Sequence, residues 1–154
     1  MGSSRTTVAV ALLGSFVAII GTFLPWIQAT DPTEGTTLTK AGIEGHYAML
    51  VVALALVAAG ASVPLFWRRS SAVAIALAVL GGAQVGLEIF VGANLARGVV
   101  QLEAAGADAS LGVGLYLSGL GSAGIVAAGF LEWATRSQES SSHLPGTSQA
   151  PRPD

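Results

Sequence analysis

Glu88 is an acidic residue set inside a long apolar run. Gln84 lies one helical turn before it, at the spacing that puts both side chains on one helix face. A carboxyl held within a lipid-embedded bundle can do two kinds of work. It can exchange a proton or a cation in a transport cycle, or it can clamp neighbouring helices through hydrogen bonds. Counted from the helix ends, Tyr116 in the last apolar run falls at nearly the depth of Glu88, and His46 lies at the outer end of the second run. A cluster of Gln84, Glu88, Tyr116 and His46 near the outer mouth of the bundle is therefore expected. One Glu with one Gln does not supply the repeated polar lining that a conduction path needs, so the clamp is the simpler reading.

Other reactive sets are sparse. The chain has no Cys, which removes disulfides, thiolate metal sites and CxxC redox chemistry. His46 and His143 are the only histidines and lie far apart, so no metal-ligand spacing exists, and neither a metal nor another cofactor is expected. Gly114, Ser118 and Ser122 recur at every fourth position, with no general base near them in sequence. That pattern reads as a packing ridge rather than a nucleophile. Gly14, Ala18 and Thr22 form a second small-residue stripe, and the two ridges face either one another or a partner subunit. No catalytic residue is assigned; an enzyme would have to work with Glu88 beside Tyr116 or His46.

Four apolar runs must position these groups: 8–27, 47–67, 72–92 and 111–133. Each is long enough to cross a hydrocarbon core of roughly 30 Å, which takes about 20 helical residues. The expected fold class is an all-α membrane protein, a four-transmembrane-helix bundle occupying 1–134, with 135–154 as a disordered cytoplasmic tail rich in Ser, Gln and Pro. Composition agrees: 52% of residues are apolar and only 10% charged, outside the usual range of a soluble domain. The 20 glycines and few aromatics imply small side chains at helix contacts and close backbone approach. A net charge of -2 with no basic stripe argues against nucleic acid as a partner.

Basic residues set the orientation. Arg5, Arg68, Arg69, Arg136 and Arg152 fall on one side, whereas Lys40 and Arg97 stand on the other among Asp31, Glu34, Glu44, Glu103 and Asp108. The positive-inside rule then places both termini in the cytoplasm of a multi-pass plasma-membrane protein. Trp26 and Tyr47 would anchor the outer interface, and Trp67 and Trp133 the inner one. A cleaved leader over residues 1–29 would also fit Arg5 and Ala29, but the apolar run is longer than such leaders use. In the first outer loop, Thr36 to Thr39 reads as a short extended segment; in the second, helix three either continues past the surface or lies on it until Gly106.

Gly21-Thr22-Phe23-Leu24-Pro25-Trp26, Gly42-Ile43-Glu44-Gly45 and Gly112-Val113-Gly114-Leu115-Tyr116-Leu117 together resemble small four-span membrane proteins of actinobacteria. In these an LPW-like exit from the first helix and a GxGLYL-like fourth helix recur. The exit is also similar to that of tryptophan-operon-associated membrane proteins. The resemblance implies the four-span layout and carries no catalytic residue across. The expected function is that of a non-enzymatic accessory subunit, scaffold or envelope component, working in the lipid bilayer with a membrane-protein partner or a second copy of itself. The alternative is a small transporter or channel component with Glu88 as its ionisable site.

Overall fold

The computed structural model describes residues 3–67 and 70–142. Its elements run α1 (Ser3–Phe23), β1 (Pro25–Thr30), β2 (Thr37–Ala41), a 3-10 turn (Gly42–Glu44), α2 (His46–Ser62), a second 3-10 turn (Val63–Phe66), α3 (Ser71–Ala104), β3 (Asp108–Leu111) and α4 (Val113–Ser142). Four helices are long and apolar enough to cross a membrane. Each of α1 and α3 packs against both α2 and α4, which closes the four helices into a ring.

The interior of that ring is made mostly of small and weakly polar side chains, with Val8, Leu65, Leu77 and Ile125 as its larger apolar members. Ala11, Ser15, Ala18 and Thr22 of α1, Ala55 and Ala58 of α2, and Ser118 and Ser122 of α4 are all buried. Large apolar side chains face outward instead: Phe16, Met49, Leu56, Ile75, Ile89, Leu120 and Phe130 are each more than half exposed. This reverses the order of a water-soluble core, in which burying such side chains supplies the main driving force. The closest seam is α1 on α4. A Cβ on Gly121 would meet the backbone of Ala18 and Gly14, and one on Gly21 the backbone of Ser118 and Gly114. The Gly14–Ala18 stripe and the Gly114 ridge therefore face one another within a single chain.

The helix ends opposite the N-terminus carry a three-stranded antiparallel sheet of order β2-β1-β3. Gln28 pairs with Thr39 on one side and with Ser110 on the other, so β1 joins the α1–α2 and α3–α4 connections. The extended segment expected around Thr36 to Thr39 is β2. Two corrections come with the sheet. Helix α1 stops at Phe23 because Pro25 cannot donate a backbone hydrogen bond and disfavours helix at the residue before it, so Trp26 and Ile27 belong to a strand. Trp26 is then no interfacial anchor: it is buried, its ring lies against Gly42, its Nε1 donates to the Gly21 carbonyl (2.9 Å) and its own carbonyl accepts from Gly112 N (2.9 Å).

In the β1–β2 turn, the Thr33 and Glu34 backbone N–H groups donate to Asp31 Oδ1 (2.8 and 3.4 Å). The Thr33 bond leads in holding the Asp31 carboxyl below its ordinary range. Helix α3 does continue past the expected span, to Ala104, before Gly106 turns the chain with φ +92°. At the other end α4 runs through Thr135 to Ser142, where the sequence predicts a disordered tail. Extending an existing helix fixes one residue per hydrogen bond, and no Pro intervenes before Pro145. The rest of that tail, 143–154, and the Arg68-Arg69 pair lie outside the described residues.

Candidate functional site

Helices α3 and α4 meet around one carboxylate. Glu88 is only 6% exposed, and both Ser118 Oγ (2.5 Å) and Ser122 Oγ (2.9 Å) donate to its Oε1. The two serines are four residues apart, so one face of α4 delivers both hydroxyls to the same oxygen. Ser122 Oγ also lies 3.1 Å from the Ser118 carbonyl. A Cβ added to Gly119 would stand 3.6 Å from Glu88 Oε2, so the carboxylate lies against bare α4 backbone there. Counted along α4 from Val113, the serines sit about 8 to 14 Å from its N-terminal end.

Gln84 shares this interior, as the one-turn spacing predicts. It is fully buried, and neither its Oε1 nor its Nε2 has a hydrogen-bond partner; Glu88 Oε2 has none either. Two members of the expected cluster are elsewhere. Tyr116 is 64% exposed and His46 is exposed at the start of α2. Depth along a helix fixes a level but not an angle: Tyr116 stands two residues before Ser118, hence on the opposite side of α4.

The ridge on α4 divides its work. Gly114 and Gly121 admit α1, while the serine side chains turn to α3 and act as donors, which a pure packing ridge does not require. Glu132 was missed. It is a second buried acidic residue, ten residues before the end of α4, and its position inside the 111–133 run beside Trp133 was the available signal. A cavity of about 120 Å³ lies under the sheet, lined by Trp26, Tyr47, Ala48, Val91 and Leu95, with Lys40 at its edge. Tyr47 makes an edge-on contact with Phe90 beside it, centroids 6.1 Å apart.

Chemically, the site can hold two helices together and can accept hydrogen bonds or positive charge at its open oxygens. Among the described residues no group of three or more His, Asp or Glu is placed to hold a metal ion. No family model matches the chain, and no curated protein matches it significantly.

Proposed function

We propose that the chain is a multi-pass plasma-membrane protein with both termini cytoplasmic, acting without catalysis as an accessory subunit, scaffold or envelope component. The observation that carries this reading is the skewed distribution of side chains: the buried set is mostly Ala, Ser, Thr and Val with a few Leu and Ile, while every Phe whose side chain is described and most of the Leu, Ile and Met side chains lie at the periphery. Lipid tails solvate such a periphery at no cost, whereas water would not. Arg5 and Arg136 belong to the helix ends away from the sheet, and Lys40 lies on the sheet itself, which supports the cytoplasmic assignment of the termini. The resemblance to small four-span actinobacterial proteins agrees with this placement. Contacts with a partner would fall on the outward helix faces and on the sheet, where β2 is an edge strand with Leu38 77% exposed.

Orientation is checked by single-Cys labelling, which is clean because the native chain has none. An impermeant thiol reagent applied outside is expected to modify Thr36→Cys and Ala107→Cys and to spare Ser71→Cys and Ser140→Cys. The opposite pattern would overturn the topology. A second test separates clamp from transporter. Glu88→Gln keeps an acceptor for both serines and is expected to cost less than about 1.5 kcal/mol of stability, the range of a typical net hydrogen bond. Any membrane phenotype should survive it. A pH-dependent flux in reconstituted vesicles that is present in the wild type and lost in this variant would instead establish the transport reading.

A further inference from the structure

The two oxygens of Glu88 are in different circumstances. Oε1 receives both serine hydroxyls, while Oε2 has no partner, and Glu88 has no ion pair with any described residue. One turn away, Gln84 is fully buried with both amide atoms unpartnered. A lone carboxylate and a carboxamide inside a bundle without compensation would cost several kcal/mol each, so this interior calls for a further group.

We propose that Glu88 Oε2 and Gln84 Oε1 form the protein half of a monovalent cation site within the helix bundle. The donor set decides the class. The groups that can face a ligand are carboxylate, carboxamide and hydroxyl oxygens, all hard; the chain has no Cys, and Met49 is exposed on α2. The charge decides the valence, because one carboxylate neutralises a single positive charge and a divalent ion would leave one charge uncompensated in low dielectric. The protein oxygens are too few to strip an ion completely. It enters with water attached, and that water accepts from Gln84 Nε2. The clamp and the ligand site then coexist on one side chain, Oε1 fastening α4 and Oε2 receiving the cation. This goes beyond the scaffold reading and does not depend on it. The required chemistry is one positive charge at Oε2, which a sodium ion supplies by coordination and a proton by bonding to Oε2 to give the carboxylic acid, and the experiment tells them apart.

The test measures thermal unfolding of the detergent-purified full chain at constant ionic strength. Sodium is exchanged stepwise for N-methylglucamine, which is too large to enter, at pH 6 and pH 8. With sodium as occupant, the wild type is stabilised by sodium in a saturable way at pH 8, and Glu88→Gln, already neutral, shows no sodium response. With the proton as occupant, sodium has no effect, and the wild type is more stable at pH 6 than at pH 8 by a margin that Glu88→Gln lacks. Gln84→Leu supplies the independent check should Glu88→Gln not fold. It is expected to raise the half-saturating sodium concentration at least about tenfold, the loss typical of removing one supporting group from an ion site, or to alter the pH response if the occupant is a proton. Responses to sodium and pH identical in wild type and variants would overturn the proposal and leave the interior to water alone.

Discussion

Gly121→Val is expected to unfold the bundle or prevent its assembly, costing about 3 kcal/mol or more, the upper part of the overpacking range. The reason is the kind of atom in the way. A Cβ at this position meets the backbone of Ala18 and Gly14 on α1, and backbone cannot rotate aside as a side chain can. Moving α1 outward would loosen the whole α1–α4 seam, since Gly14, Gly21 and Gly114 are fitted to the same separation. Gly86→Ala is the matched control. A Cβ there meets nothing within 4 Å, so this substitution should be neutral or gain the roughly 0.5 to 1 kcal/mol of Gly to Ala in a helix. Thermal unfolding and size-exclusion profiles in the same detergent decide the matter. Equal stability of the two variants would mean that α1 and α4 are not in backbone contact.

Trp26→Ala should cost about 3 to 5 kcal/mol, the usual range for removing a buried large aromatic. Its ring fills the space between the sheet and the bundle, where Gly42 leaves room for it and Ala48, Val51 and Leu115 share its cluster. The same residue satisfies the Gly21 carbonyl near the end of α1. Trp26→Phe keeps most of the apolar surface and loses only that donor, leaving Leu24 N 3.4 Å from the same carbonyl, and is expected to cost about 0.5 to 1.5 kcal/mol, the net worth of one hydrogen bond. If Trp26→Ala unfolded at the wild-type temperature, the ring would be an interfacial ornament, as the sequence first suggests.

The four helices were legible because a run of about 20 apolar residues has few other uses. Boundaries were less so, and the first helix shows why. Trp26 and Ile27 prolong the apolar run, so hydropathy alone extends the span past Pro25, although proline chemistry already argued for a stop. Strand β3 carried almost no local signal. Its four residues, Asp108–Leu111, pair with β1, from the other end of the chain, and such long-range pairing leaves little trace in a short window.

The site was half legible for a related reason. Spacing within one helix put Gln84 and Glu88 on one face correctly. Matching depth between helices then chose Tyr116, when the partners were Ser118 and Ser122, because rotation of one helix about its axis relative to another is set by packing. The clue was present but read differently: small residues every fourth position on α4 marked the face turned to the bundle, and the hydroxyls lay on that face.

Because β1 is paired on both edges, the order in which the chain is made has a consequence. Once α1, β1, β2 and α2 have been synthesised, β1 can already take β2 as its neighbour, yet its second edge stays open until α3 and then β3 have been made. Closing that edge ties the α3–α4 connection to the α1–α2 connection and records that the first three helices have been made. Before closure, the open edge presents a row of unpaired backbone groups, the kind of surface on which another strand can pair. After closure, the same backbone groups are spoken for, and the chain carries its own record of having been assembled.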